Sequence, residues 1–109
     1  MERRIGSRAQ VDLPVLAFVD GFRHRCRAVD LSSNGLVLER TRSLAARTLA
    51  QMNVLELQLR DVRPIRLRAR TVWTSDRLQA VRFVVMHDVD RLSIAEHLDR
   101  MVRLHEPLH

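Results

Sequence analysis

Arg3, Arg4 and Arg8 crowd into the first eight residues, beside Gly6. A guanidinium is planar, permanently charged and forked. It grips a phosphate, or the O6/N7 edge of guanine, with two parallel hydrogen bonds, and it stacks on a purine face. The chain has 19 arginines in 109 residues and no lysine, so the spacing R-x-x-x-R should arise by chance about three times. It occurs at Arg4/Arg8, Arg23/Arg27 and Arg66/Arg70. Spacing alone therefore carries no weight, and position separates the pairs. The second and third lie on the polar faces of strand patterns, where a solvated surface explains them. Arg4 and Arg8 precede every strand pattern and flank a glycine, where the backbone can curl.

The stretch "DLSSNG" places Asp30, Ser32 and Gly35 in a D-x-S-x-x-G arrangement. With this composition it arises by chance in roughly one of a hundred such chains. It falls at the end of a strand pattern, where a turn is wanted. An Asx or Ser turn with a left-handed glycine explains each residue type. It does not explain the pairing with a basic cluster upstream.

The elements that must position these residues are mostly strands. In "FRHRCRA", Phe22, His24, Cys26 and Ala28 oppose Arg23, Arg25 and Arg27. In "NVLELQLR", Leu55, Leu57 and Leu59 oppose Glu56, Gln58 and Arg60. In "PIRLRART", Ile65, Leu67 and Ala69 oppose Arg66, Arg68 and Arg70. In "AVRFVV", Val81, Phe83 and Val85 oppose Arg82. Period two of this kind predicts half-buried strands, and "VDLPVLAFVD" and "GLVLER" add two more, six in all. Asp20-Gly21 predicts a tight hairpin, and "SSNG", "DVRP" and "TSDR" mark later turns. Residues 40–51 fit neither period and stay open between loop and short helix. From Asp90 the period changes: Leu92, Ala95, Leu98, Met101 and Val102 recur at three and four, an amphipathic helix of about four turns. Ser93 and Glu96 have capping-box spacing, Asp88 or Asp90 are alternative caps, and Pro107 ends the helix. The expected architecture is a mostly β, six-stranded antiparallel barrel with a C-terminal α-helix. It forms one domain: a flexible arginine leader over 1–10, the barrel over 11–86 and the helix over 88–105.

Composition bounds the function. A hydrophobic content of 46% argues against disorder. No apolar run reaches the roughly 18 residues that span a bilayer, and nothing at the N-terminus resembles a secretion signal. Cys26 is the sole cysteine, so no internal disulfide forms. A soluble protein of the reducing cytoplasm is expected. The net charge of +6 leans toward an anionic partner, although arginine-biased codon usage explains a lysine-free chain as well.

Taken together, E-R-R-x-x-x-R and the downstream D-x-S-x-x-G resemble the PilZ domain, a receptor for the bacterial second messenger cyclic di-GMP. The resemblance extends over nearly the whole chain, through the strand series, Val72-Trp73, the "VRF" of Val81 to Phe83 and the closing helix. The chain departs from the family at Ala80-Val81, where a glycine is common, and in a 40–51 segment with little proline or glycine. The resemblance implies that Arg4 and Arg8 grip the nucleotide, joined by Arg3, and that Asp30, Ser32 and Gly35 complete the site. Asp30 is an acceptor suited to the N–H groups of guanine's Watson–Crick edge, Ser32 adds a hydroxyl contact, and Gly35 lets the backbone turn close to the ligand. An arginine at position 3 resembles the members that bind a stacked pair of ligands. The family also implies an effector protein as partner, in motility, biofilm or exopolysaccharide control, and no enzymatic activity or cofactor.

Two other readings stand beside this one. A general single-stranded nucleic-acid barrel would use Arg66, Arg68 and Arg70 to track a backbone, but 4% aromatic residues give few stacking platforms and make a polymer partner unlikely. A PilZ-like adaptor without ligand would act through protein contacts alone, and the intact motifs argue against it. His24 and Cys26 share a strand face but have no second pair at zinc spacing, so core packing is expected. His97 and His105 read as helix surface, and Trp73 as a packing residue, with a base-stacking platform as its alternative.

Overall fold

A computed structural model describes residues 8–19, 21–40, 52–60 and 62–105. Six strands, β1 (Arg8–Val19), β2 (Phe22–Ser32), β3 (Gly35–Glu39), β4 (Met52–Leu57), β5 (Ile65–Ser75) and β6 (Leu78–Val85), precede one helix, α1 (Asp88–His105). Every pairing is antiparallel, and the strands close as a barrel in the order β1-β2-β3-β6-β5-β4, with β4 returning to β1. The alternation seen in sequence is what closes it. Leu55 and Leu57, then Ile65, Leu67 and Ala69, are buried, while Arg66, Arg68 and Arg70 between them are exposed. Ile94 and Leu98 carry α1 onto this core beside β1 and β2.

One strand runs further than expected. β1 begins at Arg8, so Arg8 belongs to the sheet rather than to a leader ahead of it, while β2 ends at Ser32, where the "SSNG" turn was expected. The reason is a bulge. The β1–β2 register shifts between Gln10 and Leu13, and the β2–β3 register shifts between Ala28 and Asp30. Ala28 and Leu31, three residues apart, are both fully buried. The bulge resets the phase of the side chains, so the period-two pattern stops there while the strand does not.

The helix begins at Asp88. Ser93 lies inside it, and its hydroxyl donates to the Val89 carbonyl at 3.1 Å. The first turn instead holds Asp88 and Asp90, carboxylates that complement the positive end of the helix dipole. His97 is half-buried rather than a surface residue, and its Nε2 is buried with no hydrogen-bond partner among the described residues. Burial, with Arg100 and Arg60 nearby, pulls its pKa down. Val19 pairs with Phe22 as a two-residue hairpin requires, with Gly21 at φ 80°. Asp20, residues 41–51 and Pro107 lie outside the described residues.

Arg40, just past β3, is 7% exposed. Its backbone N–H donates to the Arg77 carbonyl at 2.7 Å, its Nε donates to the same oxygen at 3.3 Å, and its Nη2 donates to the Asp76 carbonyl. Asp76 turns the β5–β6 hairpin at φ 54°. The guanidinium thus satisfies the carbonyls of a hairpin tip that carries the strained residue. Arg40→Met keeps the aliphatic stem and removes these bonds, which should lower the unfolding free energy by about 2 kcal/mol. Urea denaturation checks this; an unchanged midpoint would mean that water replaces the guanidinium at no cost.

Candidate functional site

β1 and β2 bring the two sequence motifs to one corner. Arg8 pairs with Ser32, Ala9 with Leu31 and Gln10 with Asp30. Leu31 points into the core, so Asp30 and Ser32 flank it on the outer side. Arg8 is therefore diagonal to Asp30, within reach of a long side chain. Its Nη2 donates to Asp30 Oδ2 at 2.5 Å. The Arg8 side chain stays 67% exposed and that of Asp30 27%, so most of the guanidinium remains open to an incoming group.

Ser32 organises the turn that follows. Its Oγ accepts the backbone N–H of Asn34 at 3.2 Å and of Gly35 at 3.1 Å, and donates to the Gly35 carbonyl at 3.1 Å. One donor and two acceptor sites exhaust a hydroxyl, so Ser32 is engaged within the corner itself. The corner is pinned to β6 by the Phe83 N–H, which donates to the Asn34 carbonyl at 2.7 Å.

Gly35 serves differently from the expected left-handed turn. Among the described residues, positive φ occurs at Gly21 and Asp76, not at Gly35. Gly35 opens β3, opposite Arg82 of β6, and a Cβ there would overlap the Val81 carbonyl oxygen. The requirement is space: without a Cβ, β3 comes up against the backbone of β6.

Beside this corner lies a groove of about 250 Å³ lined by Arg8, Asp30, Ser32, Gly35, Trp73 and Arg82. Trp73 is 44% exposed and does not pack in the core or against the helix as expected. A register shift between Thr71 and Trp73 breaks the alternation of β5, and the indole stands in the groove wall instead. Arg82 is the residue that sequence reasoning missed. In "AVRFVV" it reads as an ordinary polar-face side chain; the fold places it in the groove lining, opposite Gly35. Arg70 stands directly opposite it on β5. Like charges face each other there, which is unfavourable, and neither makes an ion pair among the described residues.

Arg8, Asp30, Ser32 and Gly35 are thus brought together, while Arg3 and Arg4 lie outside the described residues. The other two arginine pairs fit the surface reading. Arg27 bridges Glu39 at 2.8 Å and Asp12 at 3.5 Å, and Arg66 lies over the Phe18 ring, 4.9 Å from its centroid. Among the described residues no His, Cys, Asp and Glu group is arranged to hold a metal, and no helix is long and apolar enough to cross a membrane.

Comparison with known proteins agrees with the fold and the motifs. The PilZ domain profile matches residues 2–103, and the chain belongs to the PilZ domain family. These are receptor and adaptor modules of the cyclic di-GMP-binding type, generally without catalysis. Three solved structures illustrate the likeness. The Bacillus subtilis inhibitor of motility MotI/DgrA superposes with a TM-score of 0.82 at 14% identity, over 98% of this chain but 55% of that one. The PilZ domain of CeSA from a cellulose synthesizing bacterium gives 0.65 at 15% identity, over 87% of this chain and 97% of that one. An uncharacterized Legionella protein gives 0.61 at 18% identity, over 89% and 95%. At these identities the likeness is one of fold. No curated protein matches by sequence.

Proposed function

We propose that the chain is a cytoplasmic receptor module for cyclic di-GMP, which offers a changed surface to an effector protein once the nucleotide is bound. The observation that carries this reading is the meeting of Arg8 with Asp30 above the Ser32–Gly35 corner, in a groove whose far wall holds Trp73 and Arg82. The ligand has two phosphates and two flat bases. Arg8, oriented by Asp30, grips a phosphate or a guanine edge. Arg82 supplies a second cation across the groove, and Trp73 a face for a base. Ser32 and Gly35 shape the corner. Arg3 and Arg4, just ahead of Arg8 in sequence, contribute further guanidiniums, and Arg3 fits a stacked ligand pair. The names of the similar structures, an inhibitor of motility and a cellulose-linked PilZ domain, suggest motility or exopolysaccharide control as the output.

Calorimetric titration with cyclic di-GMP tests this and counts ligands per chain. Trp73 is the sole tryptophan of a chain without tyrosine, so intrinsic fluorescence reports on the groove alone. Binding with a Kd of roughly 10 µM or tighter is expected, with a change in Trp73 emission. Absence of both heat and emission change, or RNA binding with no preference for the cyclic dinucleotide, rejects the reading.

A further inference from the structure

The outer face of β1, β4, β5 and β6 mixes charge and apolar surface in a regular way. The registers align its side chains in rows. One row runs Phe18, Val54, Arg68, Val85, and the next runs Leu16, Glu56, Arg66. Val85 is 55% exposed. A cavity of about 420 Å³ opens among Val54, Arg66, Arg68, Val85 and Met86. Arg66 is held in place by its stacking on Phe18, so its fork is ordered before any partner arrives. Glu56 is the one carboxylate in these rows, yet neither Arg66 nor Arg68 forms an ion pair among the described residues.

We infer that this face docks an acidic amphipathic helix of a protein partner. Guanidiniums two residues apart on a strand are spaced about 7 Å, and carboxylates one helical turn apart are spaced about 6 Å. The cavity between them receives an apolar side chain from the same helix face. Lipid headgroups have no fixed spacing to match. A nucleic-acid strand would need open aromatic rings, and the ring of this face, Phe18, is already covered by Arg66. The inference stands apart from the nucleotide reading, because docking is measured with no nucleotide present; either can fail alone.

The probe is a synthetic helical peptide with leucine and glutamate along one face, titrated into the ¹⁵N-labelled chain and followed by NMR and by anisotropy. Shifts should cluster at Val54, Arg66, Arg68 and Val85. Arg66→Glu with Arg68→Glu should weaken binding by roughly tenfold or more at low salt, while Arg60→Glu with Arg100→Glu, an equal charge change at the cleft between β1 and α1, should weaken it by at most about threefold. Equal weakening by both pairs, shifts centred elsewhere, or equal binding of a sequence-scrambled peptide overturns the inference. So does tighter binding to phosphatidylglycerol vesicles or poly-uridylate RNA through the same arginines. The wild-type shift map decides the matter even if a charge-reversal variant fails to fold.

Discussion

Arg8→Ala should weaken cyclic di-GMP binding by roughly 10- to 100-fold, with little loss of stability. The two halves of that result have separate causes. The Arg8–Asp30 pair lies at the surface, with two thirds of the arginine side chain exposed, and exposed ion pairs contribute only about 0–1 kcal/mol to folding. A charge-assisted bond to a phosphate or guanine edge in the groove contributes about 1.5–3 kcal/mol to binding. Arg8→Lys sharpens the test: it keeps the charge but loses the planar fork, so it should recover only part of the affinity. Calorimetry alongside urea denaturation separates the effects. Unchanged affinity in Arg8→Ala would remove this residue from the site, and a collapse of stability would reassign it to the fold.

The second large effect is expected at Gly35. Gly35→Ala should destabilise the chain by about 3 kcal/mol, the upper end for overpacking. The clash is with backbone, the Val81 carbonyl, so no side-chain rotation relieves it. Moving β3 away breaks the β3–β6 pairing at its first rung, Gly35 with Arg82. It also loosens the corner held by Ser32 Oγ and by the Phe83-to-Asn34 bond, so nucleotide affinity should fall as well. Thermal or urea unfolding measures the first effect and calorimetry the second. A variant within about 0.5 kcal/mol of wild type would mean that β3 and β6 have room to spare, against the steric account.

The barrel was legible wherever a strand keeps its phase. "NVLELQLR" and "PIRLRART" display their inward leucines and outward arginines without interruption, and the structure buries those inward residues. Legibility ends where a bulge intervenes. At Ala28–Leu31 two inward residues sit three apart, so period two alone does not carry β2 to the turn that ends it. At Thr71–Trp73 a register shift exposes an indole that composition would place inside. The Arg8–Asp30 meeting was foreshadowed by motif spacing, since an antiparallel hairpin folds the second motif back onto the first. Arg82 was not, because its place at the groove follows from the pairing of β6 with β3, a fact about register rather than residue type. Gly35 was read as a left-handed turn residue, whereas the constraint the structure shows is the closeness of β6. Arg40 lay in a stretch without period, and its role depends on a hairpin 36 residues away.

The most direct test of the account is a ¹H–¹⁵N NMR titration of the chain with cyclic di-GMP. The account predicts that the largest shifts fall on the amides of residues 30–35, on Arg8 and on the Trp73 indole, with the α1 side nearly silent. Shifts concentrated instead in the cleft between β1 and α1, around Val11, His97 and Arg100, would show that the nucleotide sits elsewhere and would contradict it.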